Sequence, residues 1–476
     1  MTTEEPFVAL SEYTLAAMQH LHVPGVALGI LHEGRESTAG FGVTNLENPL
    51  PVDADTLFQV GSITKTVTAT AMMRLVERGL VALDEPLRSY LPGLRLSEET
   101  VASRVSLRHV FTHTCGWVGD YFDDAGLGDD ALATVVSRMD RLAQETPLGE
   151  VYSYNNAGFY LAGRVIEVLT GKPYETAARE LVLDPLEMHR SFFFSQEAIT
   201  YRVAAGHDAV YPGDERLPRV LRPWWLARVS NPLGGLLSTV HDMLRYARFH
   251  LGDGQAASGE RLLSIETLAA MQKPAVPAAN GEWMGISWFL REVSGRGMAN
   301  GIANGIANGI AVSNAARIVR HGGATNGQMA MLQLVPDRDF ALVILTNSDR
   351  GSELYRPLAK EALTRFLGIV EPVPQPIEAA EPELRQYTGV YTSAAQDLQL
   401  DWNEDKLILQ VIPRGGFPTS ESPPPPAPPP SRLALCAVDT VLTLDEPLAD
   451  TQGEFLRGRD GEIAWLRFSG RVHRRC

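Results

Sequence analysis

The stretch Val60-Gly61-Ser62-Ile63-Thr64-Lys65 opens a pattern in which apolar Ile63, Val67, Ala71 and Leu75 recur four residues apart. That spacing predicts an amphipathic helix starting at Ser62, with Gly79 near its stop. Residues i and i+3 share a helix face, so the Lys65 amine can lie beside the Ser62 hydroxyl. A serine hydroxyl is a weak nucleophile until a base sits next to it. A lysine becomes that base when burial or nearby positive charge lowers its pKa, and the helix N-terminus adds positive potential where an oxyanion forms. Taken alone, the same residues also describe an N-cap serine followed by a surface lysine.

Two further stretches carry compatible chemistry. Tyr152-Ser-Tyr-Asn-Asn-Ala-Gly-Phe159 contains Tyr154, whose phenol near a cationic lysine can shuttle protons to a leaving group. The Asn156 amide can accept from Lys65 and donate to a substrate carbonyl. His321-Gly322-Gly323 closes a predicted strand; glycines let backbone approach a substrate, and a following N–H can point at an oxyanion. His321 itself can orient or protonate. Singly, these are an aromatic, polar loop before a helix and a glycine-rich strand end.

Around these motifs the periodicity predicts helices over 8–21, 105–113, 130–144, 156–170 and 174–182, and another after Ser238-Thr239, where Thr239 and Asp242 have capping-box spacing. Residues 26–43 read as two strands around His32-Glu-Gly-Arg35. Strands follow over 284–293, 316–320, 329–335 and 340–345, and a closing helix over 354–367. The fold expected is α+β: an antiparallel sheet flanked by helices plus a helical lobe, over residues 1–368. Pro, Glu and Ala mark 369–382 as a linker. Residues 383–476, with strands over 387–391, 398–402, 407–411, 433–438 and 463–468, read as a small all-β, barrel-like domain. Within it, Pro423-Pro-Pro-Pro-Ala-Pro-Pro-Pro430 suits a stiff polyproline II loop, with a proline-recognition ligand as the minor alternative. Ala-Asn-Gly-Ile, repeated from Ala299, Ala303 and Ala307, reads as a lengthened hairpin loop.

In order and context the three motifs resemble those of the penicillin-recognising serine hydrolases: Ser-x-x-Lys, a Tyr- or Ser-based triplet and Lys-Thr-Gly. The branch most similar holds class C β-lactamases, D-aminopeptidases, DD-carboxypeptidases and β-lactamase-like esterases. Phe111-Thr-His-Thr-Cys-Gly-Trp117, Asn231-Pro-Leu-Gly-Gly-Leu-Leu-Ser-Thr239, Leu334-Val-Pro-Asp337 and Val343-Ile-Leu-Thr-Asn347 resemble that branch too, so the likeness covers about 8–367. It implies Ser62 as nucleophile, Lys65 and Tyr154 sharing the general-base and general-acid work, and Asn156 supporting Lys65 and the substrate. His321 and Gly323 would line the substrate, and the backbone N–H groups of Ser62 and Ala324 would form the oxyanion hole. The C-terminal domain resembles the lipocalin-like modules of some members, which leaves a cap over the cleft or a homo-oligomer open.

Two residues depart from the branch. His321 stands where β-lactamases carry lysine, and a histidine near its usual pKa is mostly neutral at pH 7. This favours an esterase or amidase on uncharged groups, with weak β-lactam reactivity, over an efficient β-lactamase; a D-amino-acid peptidase is the alternative, and a catalytically silent scaffold the reading from another class. Cys115 replaces the usual serine, and His113 and Cys115 read as structural. Trp117, Tyr121, Phe122, Trp224 and Trp225 lie in loops the resemblance places near the cleft, as ring-binding or as packing residues.

Composition narrows the partners. A formal net charge of -15 disfavours nucleic acid and anionic membranes. Acidic Glu4 and Glu5 stand where a signal peptide would be basic, and no apolar run approaches a membrane span. Cys115, Cys436 and Cys476 are odd in number and scattered, so neither a disulfide framework nor a metal-ligand cluster is expected. Together these point to a cytoplasmic setting; no zinc, nucleotide or flavin motif appears, so no cofactor is expected, and the resemblance implies a small ester, amide or D-peptide as substrate.

Overall fold

Phe340-Ala-Leu-Val-Ile-Leu-Thr346 has no polar alternation, the mark of a strand covered on both faces. In the computed structural model, which describes residues 4–211, 216–294, 315–403, 405–418 and 421–476, every one of these residues is buried. The strand lies inside an eight-stranded sheet, one of β1 (Gly25–His32), β2 (Arg35–Gly42), β5 (Val276–Pro277), β6 (Trp283–Met284), β7 (Phe289–Ser294), β8 (Ala315–Thr325), β9 (Gln328–Val335) and β10 (Phe340–Thr346). Their order is β2-β1-β10-β9-β8-β7-β6-β5, all neighbours antiparallel. A separate short pair joins β3 (Phe58–Gln59) to β4 (Leu237–Ser238). Glu33 and Gly34 both take positive φ, as the two-residue turn between β1 and β2 requires.

Helices cover both faces of the sheet. On one face α1 (Glu4–Leu21) and α5 (Gly351–Leu367) pack through Leu10, Leu354 and Leu358 on Leu28, Ile30 and Ile344. On the other, α2 (Thr64–Glu77), α3 (Gly158–Thr170) and α4 (Val240–Leu251) belong to the main core with Ala27, Leu332 and Val343. The Thr239 hydroxyl caps α4, accepting from the Asp242 N–H at 3.2 Å. The antiparallel sheet with its helices and helical lobe is the α+β fold expected.

Ser62 differs from expectation by one step of backbone. It lies in a 3₁₀ turn, Gly61–Ile63, and α2 begins at Thr64. The Thr64 hydroxyl donates to the Gly61 carbonyl at 2.6 Å, holding the tighter turn. Likewise β8 does not stop before His321 but runs through it to Thr325.

The C-terminal strands close into a barrel. They are β11 (Gly389–Thr392), β12 (Gln396–Asn403), β13 (Lys406–Pro413), β14 (Ser431–Ala437), β15 (Thr440–Thr443), β16 (Gln452–Arg457), β17 (Ile463–Phe468) and β18 (Arg471–Arg475). Tyr391 pairs with Arg475 at the closure. Its interior is filled by Leu398, Leu400, Leu409, Phe455, Leu466 and Phe468, as a barrel of this size allows. Strands β15, β16 and β18 were absent from the sequence reading because they are short or mostly polar. The proline run joins β13 to β14, with Gln410 Nε2 donating to the Pro428 carbonyl at 3.4 Å. The Ala-Asn-Gly-Ile repeats lie outside the described residues.

The barrel meets the hydrolase part at the loop before α3. The Tyr154 N–H donates to the Gly470 carbonyl at 2.9 Å, and the Val472 N–H to Ser153 Oγ at 3.2 Å. Arg467 reaches the Tyr152 and Ala278 carbonyls, and Phe417 meets Phe122 edge-on at 4.9 Å.

Candidate active site

Three chain segments converge because the backbone at each is tightly constrained. The Val60 N–H donates to the Leu236 carbonyl, fixing the loop that carries Ser62 to the segment after Asn231–Gly234. Behind it β8 comes so close that a Cβ on Gly323 would stand 1.9 Å from the Val60 carbonyl and 3.2 Å from the Ser62 nitrogen. Gly61 adopts φ +54°, and a Cβ there would meet the Ala324 nitrogen at 2.6 Å. β8 and the loop that carries Ser62 thus meet backbone to backbone, with the nitrogens of Ser62 and Ala324 at the contact.

Lys65 Nζ donates to Ser62 Oγ at 2.9 Å and to the Leu233 carbonyl at 2.6 Å. The amine is fully buried and lies over the Tyr154 and Phe159 rings at 5.0 and 5.3 Å from their centroids. Burial, then the charge of Arg471, drives its pKa well below the ordinary lysine value. The Tyr154 phenol is within hydrogen-bonding reach of Ser62, and its own pKa is pushed up by burial, so it is a neutral donor. His113 stacks on Tyr154 at 4.4 Å and accepts from the Asn155 N–H at 3.0 Å. Cys115 is buried as well, and burial pushes its thiol upward in pKa.

Asn156, expected beside Lys65, donates Nδ2–H to Asp120 Oδ1 at 2.7 Å. His321 Nδ1 donates to the Gly322 carbonyl at 2.6 Å, which leaves Nε2 as a buried acceptor with no partner among the described residues. Burial, with Lys65 nearby, takes the ring down to about 3, so His321 is neutral for a stronger reason than its ordinary pKa.

The residue that sequence reasoning missed is Arg471, on β18. It forms a two-pronged ion pair with Asp120, Nε to Oδ2 and Nη2 to Oδ1, and its guanidinium lies 5.0 Å from the Tyr154 ring centroid. Arg471 and Asn156 hold the Asp120 carboxylate below the usual range despite its burial. A permanent cation therefore stands beside the site although the third motif has no lysine. The only hint was an arginine-rich last strand without nearby acids.

The rim aromatics divide. Trp117 is buried in the core, and Tyr121 donates to Asp123 at 2.7 Å. Trp224 and Trp225 line a cavity together with Gln59, Phe194 and Leu226. Among the described residues no group of His, Cys, Asp and Glu could hold a metal ion.

Comparison with known proteins gives the family. The family model described as Beta-lactamase matches residues 10–364. The chain belongs to that family of serine hydrolases. Penicillin-binding protein 4 of Amycolatopsis lactamdurans is 33% identical over 369 residues, covering 75% of this chain and 92% of the relative. The crystal structure of SurE, solved also with D-Leu, superposes with a TM-score of 0.72 at 24% identity, over 99% of this chain and 100% of that one. The octameric penicillin-binding protein homologue from Pyrococcus abyssi gives 0.62 at 23%, with 99% of each chain covered. At those identities the two structures speak for the fold, barrel included.

Proposed function

We propose that the protein transfers acyl groups to water through an ester on Ser62, acting as an esterase or amidase on small acyl substrates. The observation that carries this reading is the buried Lys65 amine donating to Ser62 Oγ at 2.9 Å. An amine whose pKa is depressed by burial is unprotonated often enough to accept the hydroxyl proton as Oγ attacks the carbonyl carbon. The Ser62 and Ala324 N–H groups receive the oxyanion. When the tetrahedral adduct collapses, the bond to the leaving group breaks and Tyr154 donates the proton that group needs, recovering one from Lys65. Water then attacks the acyl-enzyme with the same groups working in reverse. Of the two candidate bases Lys65 is the first, since burial keeps the Tyr154 phenol protonated.

Arg471 supports a second reading, a peptidase for D-amino-acid peptides. The guanidinium beside Tyr154 adds positive charge near a substrate carboxylate, which His321, uncharged, does not, although Asp120 already takes its Nε and Nη2 donors. The relative solved with D-Leu points the same way. Free Cys115, Cys436 and Cys476 support a reducing, cytoplasmic setting, and the octameric relative supports a homo-oligomer.

The test compares wild type with Ser62→Ala and Lys65→Met on p-nitrophenyl butyrate, a chromogenic cephalosporin and a D-alanyl anilide. We expect turnover of at least one substrate, lost in Ser62→Ala and reduced about 1,000-fold in Lys65→Met. The preferred substrate chooses between esterase and peptidase. Equal activity in Ser62→Ala would remove Ser62 from the mechanism, and an inert wild type would favour a binding protein.

A further inference from the structure

His113 turns at φ +56°, a left-handed conformation in which histidine and asparagine are enriched, and from there it holds the Tyr154 loop twice. Its carbonyl accepts from the Ser153 N–H at 3.0 Å, and its ring Nδ1 accepts from the Asn155 N–H at 3.0 Å. The N–H between them, that of Tyr154, donates to the Gly470 carbonyl of the barrel. The same ring stacks on Tyr154 at 4.4 Å between centroids, tilted by 28°. We propose that His113 is a positioning residue, which through ring Nδ1 aligns the Tyr154 phenol for the proton it gives the leaving group. The proposal rests on the Ser62 reading and deepens it by naming what aligns the proton donor.

Packing alone does not account for an imidazole at this place. With Nδ1 accepting, the proton of the neutral ring is on Nε2, which is buried and has no partner among the described residues. A phenyl ring of nearly the same shape would have no such N–H to bury. What the imidazole adds is the acceptor for Asn155. Burial first, then the charge of Lys65, holds the ring well below the ordinary histidine pKa, so Nδ1 keeps its lone pair. A protonated ring would face the Asn155 N–H donor to donor.

The hold matters because the phenol works at short range. Tyr154 is within hydrogen-bonding reach of Ser62, and Lys65 Nζ lies 5.0 Å from its ring centroid. A displacement of about 1 Å at a reacting group can cost about 100-fold in rate. The Asn155 side chain extends the hold. Its Nδ2 donates to the Trp117 carbonyl at 2.8 Å and its Oδ1 accepts from the Gly158 N–H at 2.8 Å.

The experiment compares wild type, His113→Phe and His113→Asn on the best substrate of the panel, each with and without Tyr154→Phe. Phenylalanine keeps a ring against Tyr154 but removes the acceptor; asparagine offers Oδ1 in place of Nδ1 and tolerates positive φ. We expect kcat in His113→Phe to fall about 30-fold, with KM changed less than about twofold, as for a misplaced proton donor. His113→Asn should return kcat to within about threefold of wild type. In the Tyr154→Phe background, His113→Phe should change kcat less than about twofold, since the hydroxyl it aligns is already gone. Hydrogen exchange read by mass spectrometry should show the Asn155 amide exchanging about tenfold faster in His113→Phe and near wild type in His113→Asn. An unchanged kcat in His113→Phe, an equal loss in the Tyr154→Phe background, or no rescue by asparagine would overturn the proposal. Should the left-handed backbone keep His113→Phe from folding, His113→Ala takes its place and is read the same way. If wild type cleaved no substrate of the panel, the Ser62 reading would fall, and exchange at Asn155 alone would decide whether His113 holds the loop.

Discussion

At the scale of single residues, the site depends on positions where a missing side chain matters as much as one that is present. Ser62 and Lys65 are brought together by three residues of local backbone, but the nitrogens proposed as oxyanion donors need β8 to touch the loop that carries Ser62. Gly323 is what permits that approach. In Gly323→Ala the new methyl would collide with the Val60 carbonyl, and because neither partner there is a flexible side-chain end, β8 must move. We expect kcat to fall by about 100-fold, the scale of losing one oxyanion donor, while far-UV circular dichroism stays native. Steady-state kinetics with the best substrate of the panel checks this; a kcat within threefold of wild type would mean Ala324 does not serve the oxyanion.

Elements set the titration of groups buried between them. Helix α4 runs along the sheet and buries His250 between Tyr246 and Trp288, at 4.6 and 5.0 Å between ring centroids. The ring contacts Thr70 Oγ1 of α2 at 3.2 Å, and burial alone takes its pKa down to about 3. The unfolded chain regains an ordinary histidine near 6.5, so below that pH it binds a proton the native state refuses. Stability is therefore unaffected by this group above pH 6.5 and falls as the pH drops from 6.5 toward 3. His250→Gln removes the titration. Between pH 7 and 5 the wild type should lose about 2 kcal/mol relative to His250→Gln, read as the difference of their urea-unfolding free energies at each pH. Parallel profiles for the two proteins would show that His250 takes up its proton without unfolding.

For the whole molecule, the notable feature is that the barrel supplies a side chain to the hydrolase site. The turn after β17 delivers Arg471 to Asp120, which in turn holds Asn156. Replacing the arginine alone leaves the Asp120 carboxylate buried without its cation. We expect Arg471→Met to lower unfolding stability by about 2 kcal/mol, short of the value for a fully buried pair because roughly a third of the Arg471 side chain remains exposed. Adding Asp120→Asn should restore most of that loss. Catalysis should not recover with it if Arg471 also serves a substrate carboxylate, so kinetics on the double variant separate the two roles.

Much of this molecule was legible in the sequence because the relevant forces are local. Ser62 and Lys65 share a helical turn, Thr239 caps the helix that follows it, and the unbroken apolar run of β10 requires cover on both faces. Strands β15, β16 and β18 escaped because a short or polar strand in a closed barrel is held by its neighbours' hydrogen bonds, which leave little trace in its own composition. Arg471 escaped for a related reason. Nothing in Arg471-Val-His-Arg-Arg475 says that one guanidinium will lie against Tyr154, more than 300 residues earlier in the chain. The sequence by itself determined the fold class and the spacing that sets Lys65 beside Ser62, since periodicity and motif spacing act within a few residues. Only the tertiary structure decided which charged and aromatic groups surround that pair, because desolvation and ion pairing depend on what distant segments bring into contact.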